Sequence, residues 1–278
     1  MIGLVTDSNS QLPTDLARRY GIEVVPLTVT VDGVDHLEGI DLDADAFWAR
    51  FRSATPSVST SQPSPGRFAE AYRTLAERGA DEILSVHIGV KVSGTVNSAR
   101  LAAESAPVPV RVVDTGSASF AVACCTWEAA EAVAAGASVD EAAAVAEAVA
   151  ATVGMVFVVR ALELARAGGR LAEGVGAGGA VPVLTMVDGV MDVVDHAADL
   201  DQAAEAMASR VWSSGRDLRV GIGVADAGAE PLARALTDRL AGAPQLVDLV
   251  RYRVGPSVGA HTGPGAVGAV YYPPIRYG

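Results

Sequence analysis

Two hydroxyl-rich clusters stand where helical patterns begin. Ser57-Val58-Ser59-Thr60-Ser61-Gln62-Pro63-Ser64 precedes a helix starting near Gly66, and Ser93-Gly94-Thr95 separates an apolar run, Ile83–Ile88, from a helix over Val96–Glu104. Hydroxyls at such junctions serve as nucleophiles, as anion donors or as helix caps. A nucleophile elbow needs Gly-x-Ser-x-Gly, and Lys91 and Thr95 stand where the glycines around Ser93 should be. A hydrolase built from Ser93 and His261, or from His87 with an aspartate, stays open because triads form in space and not in chain order. The anion reading is more direct: a Ser-Gly-Thr turn aims backbone N–H groups, hydroxyls and the positive end of a helix dipole at one point. Thr60-Ser61 would add donors if the two loops adjoin at the carboxyl edge of a parallel sheet. Ordinary capping by Ser and Thr explains the same spacing without a ligand.

Other motif matches fail on chemistry. Asp41-Leu42-Asp43-Ala44-Asp45 opens like a calcium loop, but Ala46 replaces the glycine and Arg52 the bidentate glutamate, so capping explains these aspartates better. Gly174-Val175-Gly176-Ala177-Gly178-Gly179 follows a helix and not a strand, which argues for a turn and against a dinucleotide loop. No Walker lysine follows any glycine loop. The adjacent Cys124 and Cys125 match neither a redox motif nor metal-ligand spacing and read as small apolar helix residues. No cofactor and no metal are expected.

These clusters need a scaffold, and short apolar runs alternating with helical patterns supply an α/β one. The expected strands are Ile2–Val5, Glu23–Val31, Ile83–Ile88, Val110–Val113, Val153–Val159, Val183–Val187, Val190–Val194, Val220–Ala225, Val247–Tyr252 and Ala266–Tyr271. Between them fall helices at Asp15–Tyr20, Phe47–Phe51, Phe120–Ala135, Glu141–Ala151, Ala161–Ala167, Gln202–Trp212 and Leu232–Leu240. Asp188-Gly189 between alternating runs marks an antiparallel hairpin, so the second sheet is expected to be mixed and the first mostly parallel. The division falls after the alanine-rich helix, giving domains 1–152 and 153–278.

A chain of 278 residues, half of them apolar, supports two cores. Its net charge of −12 opposes nucleic-acid binding, and Lys91 is its sole lysine. No basic leader and no membrane-length apolar run are present, so a cytoplasmic location without a stable membrane anchor is expected.

Beyond these patterns, Val5-Thr6-Asp7-Ser8-Asn9-Ser10, Thr60-Ser61-Gln62-Pro63-Ser64, Ser93-Gly94-Thr95 with Ser98-Ala99, Val113-Asp114-Thr115, Gly168-Gly169-Arg170 and Gly259-Ala260-His261-Thr262-Gly263-Pro264-Gly265-Ala266 resemble the successive motifs of the bacterial DegV family. The resemblance follows the family's order over essentially the whole chain. It implies a two-domain α/β protein that binds a long-chain fatty acid of palmitate or oleate type, the tail buried between the domains. Thr60 and Ser93 would hydrogen-bond the carboxylate, with Ser61, Gly94 and Thr95 in the same loops and His261 close to the head group. It further implies a carrier with no chemistry of its own, which presents the acid to an ATP-binding fatty acid kinase subunit and then to a phosphate acyltransferase. A dihydroxyacetone-type kinase substrate subunit shares a similar fold and would need His261 to hold a carbonyl substrate covalently. Four positions depart from the family pattern: Gly89-Val90 replaces a common Ser-Ser pair, and Val181 and Asp199 stand where many members carry lysine and arginine.

Overall fold

The computed structural model describes residues 1–52, 54–173, 175 and 180–275. The chain divides into two compact units. Met1–Thr28 and Ser61–Thr152 form the first, to which Ile275 returns; Val29–Thr60 and Val153–Pro274 form the second.

In the first unit the strands lie in the order Ile22–Val25, Ile2–Asp7, Glu82–His87, Val110–Asp114, parallel throughout. The two central strands are buried at almost every position, as continuous apolar runs covered on both faces should be. Helix Pro65–Glu77 buries Phe68, Ala71, Tyr72 and Leu75, the i, i+3, i+4, i+7 stripe, against Val5, Val25 and Ile83. Thr6, one residue beyond Val5 and so facing the other way, meets Thr126 of helix Phe120–Ala134, whose Thr126 Oγ1 lies 3.4 Å from Thr6 Oγ1. Cys124 and Cys125 form no disulfide and are fully buried in that helix, and burial pushes the Cys125 thiol up to about 12. At the far end of the chain Ile275 N–H donates to the buried Glu128 carboxylate at 3.2 Å.

The second unit holds a sheet ordered Val190–Ala197, Val181–Val187, Gly154–Val158, Val267–Tyr272, Leu218–Val224, Leu246–Arg253. Its pairs are antiparallel except the last, so the sheet is mixed. The Asp188-Gly189 turn has φ of 51° and 86°, the type I′ geometry that fits strand twist. Helices Leu200–Ser213 and Glu230–Leu240 pack on this sheet. A three-stranded sheet, ordered Val34–Leu37, Thr28–Val31, Val58–Ser61, accompanies helix Ala44–Arg50.

The observed division differs from the expected 1–152 and 153–278 in two respects: residues 29–60 cluster with the C-terminal unit, and Ile275 with the N-terminal one. The attachment of residues 29–60 is made by residues some two hundred positions away. Trp48 Nε1 donates to Val254 O at 2.8 Å, and Arg253 Nη2 meets Asp45 Oδ1 at 2.7 Å. Thr60 therefore belongs with the second unit, whereas Ser61 and Ser93 belong with the first. The expected extended run Glu23–Val31 is two strands, interrupted at Pro26-Leu27. Strand Val58–Ser61 and helix Pro256–Thr262 were not legible in advance, the one because its residues are mostly hydroxyls, the other because Gly259 interrupts any apolar stripe. The aspartates of the false calcium loop are structural: Asp43 Oδ1 caps Ala44–Arg50 by accepting Ala46 N–H at 2.7 Å, and Asp41 Oδ1 accepts Leu37 N–H at 2.6 Å. The glycine-rich run from Gly174 lies outside the described residues except at Val175.

Candidate functional site

Asp7, His87 and Asp114 end three adjacent parallel strands, so the loops after them gather at the carboxyl edge of the first sheet. That edge fixes the Ser93 loop. Ile88 N–H donates to Asp7 Oδ2 at 3.1 Å, Gly89 N–H to Ser117 O at 2.7 Å and Val90 N–H to Asp114 Oδ1 at 3.2 Å. Gly89 is required by this packing, since a Cβ there would lie 2.6 Å from the Gly116 carbonyl carbon; the serine common at this position has no room.

Beyond the loop, helix Thr95–Ala103 begins after Gly94 without a side-chain cap at that residue. Ser93 Oγ instead accepts Thr95 N–H at 3.3 Å and lies 2.8 Å from the buried Thr95 Oγ1. Either hydroxyl of that pair can be the donor. The Gln62 side chain sits against Gly94 and leaves no space for a Cβ there. Gln62, one residue beyond Ser61, thus adjoins the Ser93–Thr95 turn within the first unit.

In the second unit Thr60 Oγ1 and His261 Nε2 lie 2.9 Å apart. Thr60 projects from strand Val58–Ser61 and His261 from helix Pro256–Thr262. Gly168 backs the imidazole: a Cβ at 168 would collide with His261 Nδ1, which gives the Gly168-Gly169-Arg170 motif a steric purpose. His261 Nδ1 is buried and has no hydrogen-bond partner among the described residues. Burial, aided by the Arg170 charge, pushes His261 down to about 4, so the ring is neutral near pH 7. A neutral imidazole beside a guanidinium and the Thr60 hydroxyl accepts and donates hydrogen bonds in a locally positive field. That chemistry suits an anion.

The hydrolase alternative is not supported by these partners, because Ser93 Oγ is engaged with Thr95 and His261 Nε2 with Thr60. A different Asp-His-Ser constellation exists: the aspartate that meets His87 is Asp7, and Ser85 is the serine that spacing alone did not single out. His87 Nδ1 donates to Asp7 Oδ2 at 3.0 Å, His87 Nε2 lies 2.6 Å from Ser85 Oγ, and Ser85 Oγ lies 3.0 Å from Tyr72 Oη. All four side chains are sealed from solvent, and burial pushes the Tyr72 phenol up to about 12. Phe68 closes the ring edge-on over His87 at 5.0 Å. A triad without access to substrate is a structural relay tying helix to sheet.

The family model of DegV matches residues 1–274. The chain belongs to the DegV family. A DegV domain-containing protein of Streptomyces coelicolor is 38% identical over 274 residues, covering 97% of each chain. One from Deinococcus radiodurans is 35% identical and covers 98% of each. Among solved structures, a DegV family protein from Thermus thermophilus, described for its fatty acid binding, superposes with a TM-score of 0.86 at 34% identity, covering 98% of this chain and 99% of that one. A DegV lipid-binding protein from Thermotoga maritima gives 0.89 at 27% identity, covering 99% of both. The DegV fold, with its mostly parallel N-terminal and mixed C-terminal sheets, is the fold of this chain. No helix among the described residues is long and apolar enough to cross a membrane.

Proposed function

We propose that this DegV protein is a carrier that binds a long-chain fatty acid, holds its carboxylate with the hydroxyls of Thr60 and Ser93 beside neutral His261, and presents it to a separate ATP-binding kinase subunit for acyl-phosphate formation. The observation that carries the reading is the Thr60–His261 pair at 2.9 Å, with Arg170 close enough to depress the histidine. In a chain of net charge −12, a neutral imidazole set beside a cation is a specific provision for a negative head group. The fatty acid and lipid binding described for the Thermus and Thermotoga relatives supports the same ligand class.

Energetics divide the labour. About fourteen methylenes buried at roughly 0.8 kcal/mol each give on the order of 11 kcal/mol before association costs. Each hydrogen bond to the charged carboxylate adds about 1.5–3 kcal/mol. The tail supplies affinity and the hydroxyls set orientation. Ser61, Gly94 and Thr95 shape the two turns, and the protein itself performs no bond making: the partner kinase transfers the phosphoryl group and an acyltransferase consumes the product. A cytoplasmic location fits that sequence of partners.

Native mass spectrometry of the purified protein tests this, with a stoichiometric fatty acid as the expected result. Thr60→Val and Ser93→Ala are each expected to weaken hexadecanoate binding by about tenfold or more while leaving the unfolding temperature nearly unchanged. An empty or glycerol-like pocket, or delipidated protein that gains no thermal stability from palmitate or oleate, contradicts the proposal.

A further inference from the structure

The histidine just described sits on a helix of seven residues, Pro256–Thr262. A helix this short has little stability of its own, so its direction is set by what grips it. The grip comes from residues 38–48. Glu38 is 6% exposed, and its Oε1 accepts the N–H of Ser257, itself 2% exposed, at 2.8 Å across 219 positions of sequence. Pro256 brings no N–H to the first turn, which makes Ser257 its first donor. Trp48 Nε1 holds Val254 O at 2.8 Å, just before the helix. On the flank, a Cβ at Gly259 would lie 2.6 Å from Phe47 and 2.8 Å from Trp48, so the helix lies directly on those rings.

Ser257 and His261 are one turn apart on the same helix face. A carboxylate acting on the first residue of that turn sets the height and tilt at which His261 arrives. The same stretch of chain, 29–60, also delivers Thr60, to which His261 Nε2 is joined.

We propose that Glu38 is a positioning residue for the ligand head group: by accepting Ser257 N–H it places His261 at bonding distance from Thr60 and so selects ligands that carry a carboxylate. Glu38 touches no ligand and acts only through the helix. The inference rests on the reading of His261 as a head-group residue.

The experiment compares hexadecanoate with 1-hexadecanol, which has the same tail and no carboxylate, in the full chain and in Glu38→Ala, Glu38→Asp and Glu38→Gln. Glu38→Ala is expected to weaken hexadecanoate by about tenfold and to shift hexadecanol by less than about twofold. Glu38→Gln, which keeps an oxygen acceptor for Ser257 N–H, restores most of the difference, and Glu38→Asp, which withdraws it by one methylene, falls between and covers the case in which the alanine variant does not fold. Equal loss for both ligands, or no loss for either, overturns the proposal. The ring nitrogen resonances of His261 in ligand-free protein give a readout independent of lipid: they move in Glu38→Asp and Glu38→Ala and return in Glu38→Gln. Unmoved resonances overturn the role of Glu38, whereas resonances that move in the variants while the wild-type protein binds no fatty acid leave Glu38 in place and refute the carrier reading instead.

Discussion

Acid should destabilise this protein through His261, and the amount follows from its environment. The ring titrates near 6.5 in the unfolded chain and about 4 in the folded one, chiefly because burial penalises the imidazolium and secondarily because Arg170 repels it. Between those values the unfolded state binds one proton more than the folded state, so stability contributed above pH 6.5 is lost as pH falls toward 4. The full difference is on the order of 3 kcal/mol, and about 2 kcal/mol of it has gone by pH 5. His261→Gln removes the titration while keeping an amide that can reach Thr60. Urea unfolding of ligand-free protein at pH 7.5 and 5, with a constant m-value confirming the same transition, should show the wild type losing about 2 kcal/mol more than the variant. Equal losses would mean that the ring is not held neutral, and the electrostatic case for His261 would fail with it.

The relay in the first unit predicts that Tyr72→Phe, which strips a hydroxyl from Ser85 Oγ and Ala99 O, lowers stability by about 1–2 kcal/mol in chemical denaturation. Native protein should also resist a fluorophosphonate serine probe, and labelling that disappears in Ser85→Ala would show the core is not sealed. Val181 and Asp199 stand where many family members carry lysine and arginine, positive charges that would steer an acidic face of the kinase, and Asp199 is also a helix cap, its Oδ1 accepting Gln202 N–H at 2.9 Å. Val181→Lys with Asp199→Arg should therefore speed acyl-phosphate formation by a heterologous kinase whose own carriers are basic there, yet cost about 1 kcal/mol of stability, while Asp199→Asn changes neither. A native chain phosphorylated as fast as the double variant refutes the charge argument.

What could be read from the sequence was whatever leaves a local trace. Alternation of apolar runs with helical stripes located the central strands Ile2–Asp7 and Glu82–His87, and the Asp188-Gly189 pair located a hairpin. The Ser93 turn was legible because a hydroxyl-glycine-hydroxyl step between strand and helix is a local event. Long-range pairings were not: Asp7 lies 80 residues from His87, and Thr60 201 from His261. His261 entered through a motif resemblance, since Pro256–Thr262 offers neither apolar period nor capping side chain. The allegiance of residues 29–60 was hidden for the same reason, because Glu38 and Trp48 find their partners only when the far end of the chain is present.

That separation has a consequence on the ribosome. Helix Ala44–Arg50 emerges early, with Phe47, Trp48 and the adjoining Phe51 in mutual ring contact, yet Val254, which receives the Trp48 indole, is 206 residues later. At about 5–20 residues per second, that aromatic cluster waits roughly 10–40 seconds for its partner. During the wait Ser61–Thr152, the larger part of the first unit, is completed, long before residue 254 is translated. The segment that carries Trp48 and Thr60 thus keeps an aromatic cluster without its partner until late in synthesis, a natural place for a chaperone to hold on.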